Sequence, residues 1–129
     1  MALVGRGGSV RIGANTVAGM AQWSIDCEAE NIDVTNFGSN GWKEFLAGLR
    51  EWSGSFEGNF VPGDTNGQIA LSNAWLNGTT VALELRFDAT RRFSGTALIS
   101  NMSTEVPLDD KASISFDYQG TAALTMVLT

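Results

Sequence analysis

The chain has 129 residues, 43% of them hydrophobic and 17% charged, with a formal net charge of −6, one cysteine and no histidine. That length is one domain able to bury a core of its own, and the hydrophobic share excludes a disordered chain, the lone cysteine a disulfide scaffold, and the scarcity of Lys and Arg a primarily electrostatic nucleic-acid binder. No apolar run nears the roughly 18 residues of a membrane span, and basic and acidic groups divide evenly between the two halves of the chain, so neither a basic arm nor an acidic tail exists.

In chain order, the opening MALVGRGGSVRIG lacks the apolar run of a secretory signal. Residues 1–8 read as a flexible glycine-rich arm of a single domain spanning 1–129. Val10 to Gly13 is a short strand. From Ala21 to Glu28, Ala21, Trp23, Ile25 and Cys27 alternate with Gln22, Ser24, Asp26 and Glu28, the period of a half-buried strand. Extended character continues to Thr35. Turn residues 37–41 lead into GWKEFLAGL, where Trp42, Phe45, Leu46 and Leu49 have the spacing of a short amphipathic helix. Arg50 to Phe60 returns to strand, with Trp52, Phe56 and Phe60 on one face and Glu51, Ser53, Ser55, Glu57 and Asn59 on the other.

A second helix is expected over about Asn66 to Leu76, capped by Asp64 or Thr65 and closed by Asn77-Gly78. Thr80 to Phe87 is the clearest strand. Phe93 to Val106 is extended, but its two faces are equally mild, as for a strand covered on both sides. Ile114, Phe116 and Tyr118 alternate with Ser113, Ser115, Asp117 and Gln119 in a further strand, and residues 121–129 are apolar. These elements predict a mainly β protein, an antiparallel β-sandwich or open barrel with one or two short α-helices.

Catalytic chemistry is hard to build from this chain. Without histidine it lacks the usual general base and the commonest zinc ligand. Cys27 has no imidazole partner and its place in an apolar alternation predicts burial. Asp26, Glu28 and Glu30 share one strand face, which suits an acidic surface better than a tuned acid–base pair. Asp109-Asp110 lacks the other ligands of a calcium loop. No catalytic residue, cofactor or metal is expected. The sequons at Asn77 and Asn101 are chance matches in a protein made in a reducing cytoplasm. Of the tryptophans, Trp23, Trp52 and Trp75 hold core-facing positions. Trp42, beside a glycine-rich turn, is placed to anchor its own helix or a neighbouring subunit.

The stretch DVTNFGSNGWKEFLAGLREWSGSFEGNF (33–60) resembles the tail tube, or major tail, proteins of long-tailed bacteriophages. Asp33 and Thr35 match a D-x-T strand, Gly41-Trp42-Lys43-Glu44 a G-W-K-E segment, and Trp52-Ser53 with Ser55 a glycine-rich W-S-x-S strand. The resemblance extends more loosely over about residues 20–121. It implies a structural virion protein, made in the host bacterial cytoplasm, that self-assembles into stacked hexameric rings forming a hollow conduit for DNA. The type VI secretion tube proteins share that architecture. Implied partners are further copies of the chain and the tape-measure and terminator or tip proteins, with no membrane and no specific DNA binding. On this reading Asp33, Thr35, Gly41, Trp42, Lys43, Glu44 and Trp52 belong to family motifs or interfaces. Gln22, Ser24, Asp26 and Glu28, with Ser113, Ser115, Asp117 and Gln119, are candidates to line the lumen, although the same faces read equally well as ordinary solvated sheet. The alternative function is a carbohydrate-binding β-sandwich module, in which tryptophans form a stacking platform.

Overall fold

Alternating apolar and polar residues become seven strands, with one α-helix, in the computed structural model, which describes residues 5–129. The strands are β1 (Ser9–Ile12), β2 (Asn15–Thr16), β3 (Met20–Asp33), β4 (Phe45–Asn59), β5 (Thr80–Arg86), β6 (Arg92–Glu105) and β7 (Ser113–Val127); helix α1 (Gln68–Asn77) lies between β4 and β5. They form one antiparallel sheet in the order β2-β1-β5-β6-β7-β4-β3, which does not close into a barrel.

The sheet bends over on itself because β6 and β7 serve two layers. β7 pairs with β4 only through Ser113–Gln119, and β5 pairs with β6 only through Arg92–Leu98. The first layer is therefore β3, β4 and the adjoining halves of β7 and β6. The second is β2, β1, β5 and the remaining halves. Register shifts in β6 between Ser94 and Thr96 and between Ile99 and Asn101, and a left-handed Ala122 (φ 69°) in β7, supply the bend. The first layer's Phe56, Phe116 and Tyr118 are buried with Val10, Leu83, Leu85 and Ala97 of the second. Tyr118 donates its hydroxyl to the Ser24 carbonyl at 2.7 Å, and burial pushes the phenol pKa up. Trp52 donates its indole N–H to the Ala122 carbonyl at 3.1 Å and lies flat over Gly120, where a Cβ would overlap the ring.

Helix α1 plugs one end of the core with Leu71 and Ala74. Its first turn is tied down by side chains: Asp64 accepts from the backbone N–H groups of Gln68 (2.9 Å) and Ala18 (3.0 Å). The buried Gln68 side chain accepts from the Val61 N–H and donates to the carbonyls of Ala18 and Asn59. Gly78, left-handed at φ 68°, closes the helix where Asn77-Gly78 predicts it.

Four expectations are corrected. Residues 41–49 are not a helix: Asn40 (φ 53°) and Gly41 (φ 84°) take left-handed turn conformations, and Phe45, Leu46 and Ala47 pair with Asp33, Ile32 and Asn31. Long-range strand pairing overrides the helical spacing. Cys27 is exposed, because the second layer covers β3 only as far as Trp23 and Ile25. Trp75 is not buried but 46% exposed, since α1 turns Leu71 and Ala74 inward instead. The mild faces of β6 do not reflect cover on both sides. They arise because the second bulge moves the inward set from Ala97 and Ile99 to Met102, leaving Ser100, Asn101 and Ser103 exposed. Of the expected flexible arm, residues 5–7 form a 3-10 turn and residues 1–4 lie outside the described residues.

Candidate functional site

Register places the two sets of lumen candidates on one surface. On the outer face of the first layer Gln22 pairs with Glu57, Glu57 with Ser115 and Ser115 with Ser103. In the next row Ser24, Ser55, Asp117 and Asn101 line up, and in the third Asp26, Ser53 and Gln119. Ser113 pairs with Asn59 at the lower end, and Glu28 with Glu51 at the upper. Hydrogen bonds run across the strands, Ser24 Oγ to Ser55 Oγ at 3.3 Å and Asn101 Nδ2 to Asp117 Oδ2 at 3.2 Å. Gln119 donates to the Trp52 carbonyl. Asp26, Glu28, Glu51, Glu57 and Asp117 make the face acidic, and none of the described residues on it is Lys or Arg. Alternation marks both flanks of this surface as candidates but not its centre: Ser53, Ser55 and Glu57 read as one strand face, and only the β3–β4–β7 order joins it to the others.

Above that face β3 and β4 continue without β7 as a two-stranded arm. Asn36 caps the Phe37–Ser39 turn, accepting from the Gly38 N–H at 2.8 Å while Ser39 Oγ accepts from the Asn36 N–H. Thr35 Oγ1 accepts from the Glu44 N–H at 2.8 Å, and hydrogen bonding to Thr35, through its side chain and then its backbone, holds the Asp33 carboxyl below the usual carboxylate range. The motif residues Asp33, Thr35, Gly41, Trp42, Lys43 and Glu44 thus sit together at one tip. Trp52 does not join them; it lies in the core. The arm carries Ile32, Phe37, Phe45, Leu46 and Leu49 exposed, and Trp42 is 77% exposed. Isolated exposed apolar residues need no explanation, but a run of them along one projection makes it a candidate interaction surface.

Two strand edges are also open. Among the described residues β3 pairs with β4 on one side and with no strand on the other, and β6 loses β5 beyond Leu98, so Ile99–Glu105 has a free edge beside α1. Neither segment contains proline, the usual block to further pairing. β3 and β6 run in opposite directions, so β6 of a second copy laid along β3 continues the antiparallel alternation. Among the described residues no three His, Cys, Asp or Glu converge as metal ligands would, and no helix is long and apolar enough to cross a membrane.

A family model described as phage tail tube protein matches residues 2–126. Among solved structures, the chain is similar to one from the virion of a native gene transfer agent particle (TM-score 0.84, 23% identity, covering 98% of this chain and 99% of that one). A chain from the tail of an empty gene transfer agent particle, refined with C6 symmetry, gives TM-score 0.83 and 24% identity over 98% and 99%. The SPP1 tail tube gives TM-score 0.70 and 15% identity over 99% and 81%. At these identities the structures establish a shared fold. No curated protein sequence matches significantly.

Proposed function

The chain belongs to the phage tail tube protein family, and from that premise we propose that its copies close edge to edge into six-membered rings that stack into a hollow conduit for DNA. The family is structural, so the chain is a component of the virion tail and not an enzyme. The observation that carries the ring is the pair of open, oppositely directed edges, β3 and the end of β6, bracketing one polar face. Pairing of β3 with β6 of the next copy removes both edges at once, and repetition of that head-to-tail contact closes a circle. Six copies agree with the symmetry of the gene transfer agent tail.

In such a ring the acidic face made by Gln22, Ser24, Asp26, Glu28, Ser113, Ser115, Asp117 and Gln119 with the serines of β4 lines the channel. Its charge repels phosphates, and its short polar side chains offer DNA nothing to grip. The apolar arm reaches the adjoining ring. Tape-measure and terminator proteins are the expected partners inside and at the end of the tube.

The test is size-selective labelling of assembled tubes. Ser55→Cys in a Cys27→Ser background should react with a small maleimide and resist a maleimide carried on a large polymer. Equal reaction with both reagents in tubes would place this face outside the channel.

A further inference from the structure

Charge is even along the sequence but not in space. Five of the eight basic residues, Arg6, Arg11, Arg86, Arg91 and Arg92, gather at the end of the second layer that meets β3. Trp23 of β3 donates to the Arg86 carbonyl there at 3.1 Å, and the turn carrying Arg6 packs at Gly7 against Phe87 and Asp88. Only Glu84 and Asp88 oppose the arginines. Glu84 Oε1 is shared between Arg86 (3.0 Å) and Arg92 (3.4 Å), and Asp88 is taken by Arg91 at 2.6 Å.

The cluster is unfinished within one subunit. Arg86 and Arg92 are direct cross-strand partners, a like-charge pairing that costs stability. The Nε–H groups of Arg11 and Arg86 are buried without an acceptor. Carbonyls of Ala14, Ala89 and Thr90 take further guanidinium donors, but with five arginines against two carboxylates the cluster keeps a net positive charge that carboxylates from outside can neutralise. On the opposite flank of the molecule, at the open end of β6, Glu105, which pairs with Ser113 at the margin of the polar face, and Asp109 and Asp110 of the following loop are exposed and take part in no salt bridge among the described residues. One cluster borders the β3 edge and the other the β6 edge.

We propose that the arginine cluster is the cationic half of the side-to-side contact between copies, and that Glu105, Asp109 and Asp110 of the neighbouring copy supply the opposing charge. The inference rests on the ring assembly above and adds which charges steer and lock it. Complementary charge across a contact fixes register and speeds association, and reversing one side juxtaposes like charges.

The experiment uses two charge-reversed chains, one with Arg91→Glu and Arg92→Glu, the other with Glu105→Lys, Asp109→Lys and Asp110→Lys. Circular dichroism melts check that each is folded. Each alone should need a concentration at least about tenfold higher than wild type to assemble. Mixed in equal amounts, they should assemble again as alternating rings, since every contact then carries opposite charges and an even-numbered ring accommodates the alternation. If a reversed chain fails to fold, Arg91→Gln with Arg92→Gln takes its place, and its assembly should depend less steeply on salt than that of wild type. Reversed chains that assemble like wild type, a mixture that fails to recover, or an unchanged salt dependence would each overturn the inference alone. Wild-type chains that never form rings would overturn the ring reading and this inference with it.

Discussion

From residues 20 to 25 and 52 to 59, β3 and β4 lie against the second layer; from 29 to 49 the same hairpin runs on into solvent. The root and the arm are alike in composition. The root holds Trp23, Trp52 and Phe56, and the arm Phe37, Trp42, Phe45, Leu46 and Leu49. Trp52 is 5% exposed and Leu49 is 83% exposed. Local pattern marks a surface as apolar, but it does not say whose surface it will meet. A large apolar side chain gains about 1.5–3 kcal/mol on full burial. The root realises that gain within one subunit, while in the proposed assembly the arm gains it only on contact between subunits, where it has to offset the entropy of association.

The comparison breaks most readily at Trp52. Trp52→Ala opens a cavity between the layers and removes the bond to Ala122, so the unfolding free energy should fall by about 3–5 kcal/mol in denaturant titration. A loss below about 1 kcal/mol would mean that the root is no better packed than the arm. Tyr118→Phe deletes one hydroxyl and leaves the Ser24 carbonyl without that donor, and should cost about 1–2 kcal/mol by the same measurement.

Asp88 offers a control outside the hairpin. Hydrogen bonds from the Arg91 and Thr90 backbones, then from the Arg91 side chain, hold its carboxyl at about 2 against an ordinary 3.8. Because the folded value is depressed, its stabilisation is complete above the ordinary value and is lost as pH falls through about 2. NMR titration of the Asp88 carboxyl should show that low midpoint, and Asp88→Asn should flatten the acid limb by lowering stability in the neutral region while changing it little below a pH of about 2. The smallest effect on the subunit belongs to the arm. Trp42→Ser with Leu49→Ser should move unfolding free energy by less than about 0.5 kcal/mol yet abolish stacking of rings by electron microscopy. Normal stacking would remove the arm from the interface.

Much of this was legible in the sequence because it depends on short-range periodicity. β5, β7 and α1 follow from alternation, helical spacing and the Asn77-Gly78 stop. The polar residues of β3 and β7 were identifiable as strand faces for the same reason. What escaped depends on distant pairing. Trp42, Phe45, Leu46 and Leu49 fit a helix until Ile32 and Leu46 are known to face each other across the hairpin. Cys27 fits a buried alternation until β3 proves to be an edge strand that the second layer covers only in part. The arginine cluster is invisible along the chain, since β1 brings Arg11 beside β5 from more than seventy positions away.

The central claim, that this chain closes into stacked rings around a polar channel, is tested most directly by electron microscopy of the purified protein across a range of concentration and salt. The account predicts rings or tubes with an open centre, and sixfold symmetry in end-on averages. Subunits that remain monomeric under every condition, or assemblies without a central hole, would contradict it.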